Sequence, residues 1–303
     1  PSCNIGGGST AAVGVGVESV NWGKVVEIVG SWVTSPLLSG VIAFIFFTVL
    51  QRLILHQKDP LRRTRAAVPY MVFGTTLIIS LVTLWKGLKH LDLHLSGLQT
   101  TGLAVGLSLL SALLARVLVN RLPDKEDATV EFQFTALEKV FGVLQIYTAC
   151  AVAFAHGSND VANAIGPLAA VISTLQTGEV TAESNIPVWM LLLGGVGIVV
   201  GLSTYGYKVM ATVGEKITHL TPSRGYVAEF AAATIVVASR FGLPISTTHT
   251  LIGAVLGVSL ARGVAATNFA ILGQIVMSWV ITLPAGALLS IVFFYLLKAI
   301  FGG

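Results

Sequence analysis

Apolar residues in this chain run in long stretches, at 25–50, 66–86, 98–119, 140–156, 159–176, 187–212, 226–241, 244–261 and 269–301. The runs at 25–50, 66–86, 98–119, 187–212 and 269–301 are the strongest. Each is long enough, as a helix, to cross a hydrocarbon core of about 30 Å. Only helices or closed barrels satisfy their backbone groups in lipid, and runs this long and continuous predict helices rather than alternating strands. The runs at 159–176 and 226–241 are shorter and are interrupted by Gly, Pro or polar residues. Short interrupted segments of this kind predict broken or re-entrant helices facing a cavity. The pattern therefore predicts an all-α polytopic membrane protein.

Composition agrees with the pattern. Of 303 residues, 54% are apolar and 11% charged, against about 25% charged in a soluble domain. Mean hydropathy is +0.84. These values exclude a soluble enzyme, a disordered chain and a nucleic-acid binder. The 18 Lys and Arg against 14 Asp and Glu carry topological information. Arg52, Lys58, Arg62, Arg63 and Arg65 face only Asp59, so the loop that holds them is expected on the cytoplasmic side. The hydrophilic stretch 120–139, with Asp124, Lys125, Glu126, Asp127 and Glu131, lies two spans later and returns to that side. Cys3 and Cys150 provide neither a disulfide framework nor a metal site.

The chain also repeats itself. An offset of 247 aligns Ser31-Trp32-Val33 with Ser278-Trp279-Val280, Asn21 with Asn268, and Phe46-Phe47 with Phe293-Phe294. Tryptophan is rare here, five in all, so the Ser-Trp match carries weight. The basic loop follows the first copy only, which fits an inverted pair ending on opposite faces, a hallmark of secondary transporters. Residues 1–57 then read as the C-terminal part of the first repeat. Residues 58–137 read as two connecting helices and a hydrophilic loop, and 138–303 as the second repeat. The register places Pro1 opposite Thr248, so about 100 residues matching 140–247 are expected before residue 1.

Two polar constellations interrupt the apolar pattern. The first is His156-Gly157-Ser158-Asn159-Asp160-Val161-Ala162-Asn163-Ala164-Ile165-Gly166-Pro167. A helix opening here, with Asn159 or Asp160 as its N-cap, puts Asn159, Asp160 and Asn163 on one face at i, i+3 and i+4 spacings. A carboxylate at membrane depth costs at least about 2.5–3.5 kcal/mol and marks an ion or substrate path. The second constellation is Gly242-Leu243-Pro244-Ile245-Ser246-Thr247-Thr248-His249-Thr250. Pro244 suits a helix start, and the hydroxyls of Ser246, Thr247 and Thr248 would crowd its first turn. A helix N-terminus attracts anions through its free N–H groups and dipole, although Ser and Thr also serve as packing contacts between membrane helices. His249 is read either as a proton shuttle or as a structural histidine donating to a carbonyl. Ser246, His249 and Asp160 do not make a hydrolase, because the Gly-x-Ser-x-Gly elbow and the HExxH motif are both missing.

Neither constellation contains Lys or Arg. An oxyanion held by hydroxyls, amides and dipoles beside Asp160 needs a cation to balance the acid. Coupled movement of Na⁺ or H⁺ with an oxyanion is therefore expected, rather than an anion pore with rings of Arg or Lys. Glu27, Glu138, Glu229 and Arg240 are further charges within apolar surroundings. Glu138 is expected at a helix start, where the dipole favours it. Glu229 and Arg240 flank the re-entrant candidate as coupling groups or a structural pair. Gln145 reads as an ion ligand or as a hydrogen bond to a neighbouring helix.

The motifs resemble the paired signatures of the inorganic phosphate transporter (PiT) family. The resemblance rests on Gly157-Ser158-Asn159-Asp160-Val161-Ala162-Asn163-Ala164 and on Leu243 to His249. It extends to the approach sequence Glu138 to Ala155 and the tail Gly257 to Gly263. It implies an inverted-repeat secondary transporter with broken or re-entrant helices that carries inorganic phosphate with Na⁺ or H⁺ and needs no other cofactor. Another tetrahedral oxyanion, sulfate or arsenate, is the alternative substrate. Asn159, Asp160 and Asn163 would hold phosphate and the coupling cation, the latter with Gln145; Ser246, Thr247 and Thr248 would ligate phosphate. The expected surroundings are a lipid bilayer, in the plasma membrane or alternatively the plastid inner envelope, with a homodimer as the candidate assembly.

Overall fold

The computed structural model describes residues 22–84, 96–120, 130–177, 187–238 and 245–301, and these are helical almost throughout, with no strands among them. In chain order the helices are α1 (Trp22–Leu50), α2 (Pro60–Val82), α3 (Gly97–Asn120), α4 (Val130–Thr177), α5 (Val188–Gly201), α6 (Tyr207–Ala211), α7 (Pro222–Ala238), α8 (Thr247–Ala261) and α9 (Phe269–Phe301). π-helical turns extend α1 over Gln51–Leu55 and flank α6 at Leu202–Gly206 and Thr212–Lys216. Among the described residues, six stretches are long and apolar enough to span a membrane: Val25–Leu55, Pro60–Val82, Gly97–Asn120, Phe134–Phe154, Val188–Lys216 and Phe269–Phe301. The expected strong runs thus all become spans. By contrast α7 and α8, with 17 and 15 residues, reach only about 22–26 Å at 1.5 Å per residue and fall short of the hydrocarbon thickness.

The first constellation differs from expectation. In place of two segments, 140–156 and 159–176, with an N-cap at Asn159 or Asp160, one helix of 48 residues runs through the motif and past Pro167. Ala151, Ala153, Ala155, Ala162 and Ala164 surround the polar residues, and alanine is the strongest helix former. The local turn preference of Gly157, Asn159 and Asp160 is outweighed. With the helix continuous there are no orphan N–H groups at 159–160 for a cap to satisfy. The i, i+3 and i+4 spacing of Asn159, Asp160 and Asn163 survives unchanged.

The chain divides into two compact units. One comprises residues 1–31, 157–212 and 268–303; the other comprises 32–156 and 213–267. In the first, Ile165 and Ala169 of α4 bury against Met190 of α5, with Val161 and Ile172 packed alongside. Gly194 makes this possible, since a Cβ there would meet Ile165 Cγ1 at 2.8 Å.

In the second unit α2 packs on α3 and on α7, and α7 packs on α8. Its centre is Tyr226, fully buried among Phe46, Phe141 and Phe230 at ring-centroid distances of 6.3, 6.0 and 6.0 Å. A buried phenol needs polar partners. Tyr226 Oη lies 3.1 Å from Thr75 Oγ1 and donates to Met71 O at 3.3 Å. The next residue, Thr76, meets Tyr147 Oη at 2.9 Å and accepts from Ser111 Oγ at 2.8 Å. These hydroxyls tie α2, α3, α4 and α7 together without a charge.

Helices α1 and α8 approach each other closely. A Cβ on Gly253 would collide with the Pro36 backbone, and one on Gly257 with the Gly40 carbonyl. Pro36 and Gly40, like Gly253 and Gly257, are four apart, the small-xxx-small spacing that lets membrane helices approach closely. Ser39 Oγ then reaches Thr250 O at 2.6 Å across the crossing.

Candidate functional site

The second signature builds a well-defined helix start. Ser246 is extended at φ −92°, ψ 112° and caps α8, its Oγ accepting the His249 N–H at 3.4 Å. Thr250 closes the turn from the other side: its N and Oγ1 both donate to Ser246 O, at 2.9 and 2.7 Å. Ser246, His249 and Thr250 are buried, whereas Thr248 is exposed. His249 hydrogen-bonds the Trp32 backbone and packs edge-on against the Trp32 ring, centroids 6.4 Å apart at 71°. Thr247 Oγ1 lies 3.2 Å from His156 Nε2, on α4. An apolar cavity adjoins this pair, lined by Ile78, Val82, Val152, Ala233, Val236 and Leu251. Gly242, Leu243, Pro244 and Arg240 lie outside the described residues.

A second polar centre lies in the same unit. Glu229 of α7 accepts from Thr148 Oγ1 at 2.5 Å and is also hydrogen-bonded by the Gln145 side chain. Gln145 itself nests against a glycine, since a Cβ on Gly225 would overlap its amide. The two sequence candidates Gln145 and Glu229 therefore meet directly. Thr148, which joins them, is not among the candidates; the signal for it is a hydroxyl one turn after Gln145 in an otherwise apolar run.

Glu138 corrects an expectation. It is well inside α4 rather than at its start, and it caps α7 instead. Ser223 N donates to its Oε2 at 2.9 Å and Ser223 Oγ to its Oε1 at 2.8 Å. The carboxylate thus sits at a helix N-terminus, as the dipole favours, but at a neighbouring helix's. Glu138, Gln145 and His156 share one face of α4. From 138 to 156 is 18 residues, five full turns and about 27 Å of helix. That face engages the α7–α8 hairpin at its base through Ser223, midway through Glu229 and at its tip through Thr247.

Asp160 lies in the other unit and is half-buried. Asn159 and Asn163 are on the same helix, but their side chains lie outside the described residues. Glu27 is exposed on α1.

A profile described as the phosphate transporter family matches residues 3–290. The chain belongs to that family. It is 47% identical over 293 residues to a protein of Haemophilus influenzae named as a phosphate permease, spanning 96% of this chain and 70% of that one. It is 39% identical to "Inorganic phosphate transporter 2-1, chloroplastic" of Arabidopsis thaliana, over 94% of this chain and 52% of the relative. Among solved structures, "The sodium-dependent phosphate transporter" superposes with a TM-score of 0.83 at 39% identity, covering 96% of this chain and 71% of that one. The family consists of transporters rather than enzymes, in line with the absence of hydrolase motifs, and the chain is an integral membrane protein.

Proposed function

We propose that this protein moves inorganic phosphate across a membrane by symport with Na⁺. The observation that carries the reading is the helix start at Ser246. It offers buried hydroxyls and an imidazole next to a cavity, in a segment too short to span, and has neither Lys nor Arg in its first turn. Such a receptor suits a small oxyanion but leaves the charge of that anion uncompensated, which calls for a cation to travel with it. Membership of the phosphate transporter family supplies the substrate, and likeness to a transporter described as sodium-dependent favours Na⁺ over H⁺. Sulfate and arsenate lack that support.

In this reading Ser246, Thr247 and Thr248 ligate phosphate. Asn159, Asp160 and Asn163 are likewise proposed as ligands of phosphate and of the coupling cation. Gln145 and Glu229 form a further cation position, and His249 acts through Trp32 to fix the turn. The plasma membrane is the proposed location, because the Haemophilus influenzae relative and one of Pyrococcus abyssi, at 42% identity, belong to cells without plastids.

Uptake of labelled phosphate into proteoliposomes tests the reading. An inward Na⁺ gradient should accelerate uptake over an equal K⁺ gradient, and excess sulfate should not compete. Asp160→Asn should reduce uptake to background while the protein stays monodisperse. Equal rates in Na⁺ and K⁺ remove the coupling, and normal uptake by the variant removes the assignment of Asp160.

A further inference from the structure

The two ends of the α7–α8 hairpin converge on one short loop. Arg224, in the first turn of α7, donates from Nη1 to His219 O at 2.8 Å. Arg262, the C-cap of α8, donates from Nη1 to Thr218 Oγ1 at 3.0 Å. Both acceptors are neutral, and they are consecutive in the chain. Two guanidinium groups are thereby drawn to the same place, and the charge of Arg262 acts against that of Arg224. Glu138 is the carboxylate that favours the Arg224 charge, yet both of its oxygens already accept from Ser223. Each guanidinium has five N–H donors in a planar fork, and among the described residues one hydrogen bond from each is seen. Thr218 is buried, and its hydroxyl, already an acceptor for Arg262, retains a proton to donate.

Two like charges drawn together by neutral partners repel, and an anion bound by both relieves that repulsion. Planar forks match the oxygens of a phosphate group bidentately. We propose that Arg224 and Arg262, with the Thr218 hydroxyl, form a binding site for a phosphate group at the base of the hairpin. Glu138, the ninth of the 48 residues of α4, places the base toward the N-terminal end of that helix, two spans after the basic loop of Arg52, Lys58, Arg62, Arg63 and Arg65, and hence on the same membrane face. Basic pockets between helices on that face bind phospholipid headgroups. The phosphate group is that of an anionic phospholipid or of free inorganic phosphate, and its chemistry at the two arginines is the same. The site shares no residue with those proposed for transport.

Binding, not uptake, reads it out, so failure of the transport reading leaves this test standing. The protein is placed in nanodiscs of purely zwitterionic lipid and titrated with labelled inorganic phosphate, beside Arg224→Gln/Arg262→Gln in an Asp160→Asn background. Loss of a saturable phosphate site on removing the arginines identifies free phosphate as the source. In nanodiscs containing phosphatidylglycerol, native mass spectrometry counts retained anionic lipid. A fall of about tenfold in its retention by the arginine variant identifies a headgroup. A folded variant that leaves both readouts unchanged overturns the proposal. Should the double variant fail to fold, Arg224→Lys and Arg262→Lys keep the charge and lose the fork. Weakened binding by either supports the site, and unchanged binding by both overturns it.

Discussion

Helices α8 and α9 are neighbours in sequence and both apolar, yet their surroundings are opposite. α9 is the more hydrophobic, and none of its residues is buried. α8 buries His249, Thr250, Ile252, Gly253, Ala254, Val255, Gly257, Val258 and Ser259. In water the more apolar helix would be the one inside. In a bilayer, lipid tails are as apolar as leucine, so leucine gains little from leaving them. Close backbone approach and paired polar groups decide burial instead. α8 has both: glycines against Pro36 and Gly40, Ser39 on Thr250 O, and Ser259 Oγ 2.8 Å from Thr267 Oγ1. α9 presents Leu288, Leu289, Val292, Phe293 and Leu296 outward, a surface suited to acyl chains.

Substitutions should separate the two helices sharply. The largest effect is expected from Gly257→Val, because the branched side chain must enter the Gly40 backbone. Overpacking of this kind costs about 1–3 kcal/mol or more, and thermal melting in detergent should show an early transition or no folded protein. Next comes Thr148→Val, which removes a donor from the Glu229 carboxylate. Hydrogen bonds in membrane proteins average about 0.6 kcal/mol with a maximum near 1.7, and one to an acid belongs at the upper end. Na⁺-dependent uptake should lose affinity for Na⁺ more than maximal rate if Glu229 forms the cation position. Ser246→Ala removes the α8 cap and should cost about 1 kcal/mol, with weakened phosphate binding as a separate readout. The smallest effect belongs to Leu288→Ala on α9, within about 0.5 kcal/mol. A melting point lowered as much by Leu288→Ala as by Gly257→Val would abolish the contrast.

Much of this was legible in the residues. Long apolar runs announced the spans, and Pro244 with the hydroxyls after it announced a helix start nearby, although the residue that caps it, Ser246, was expected inside the first turn. The continuity of α4 through Gly157-Ser158-Asn159-Asp160 was not legible, because the cap preference of Asn and Asp was visible locally while the alanines on both sides jointly held the helix. Glu138 illustrates a second limit. Its attraction to a helix N-terminus was readable, but only three-dimensional packing supplies the helix, α7, whose terminus it meets. Thr148 shows a third: its partner Glu229 is 81 residues away, and no periodicity in the chain connects them.

The single face of α4 that touches the α7–α8 hairpin three times has a mechanical consequence. At the foot a carboxylate takes two bonds from Ser223; at the point one contact of 3.2 Å joins Thr247 to His156. The point is not loose for that, because α1 takes over there, with Trp32 on His249 and Ser39 on Thr250 O. The hairpin is riveted along its whole length, to α4 at the foot and through Glu229, and to α1 near the point.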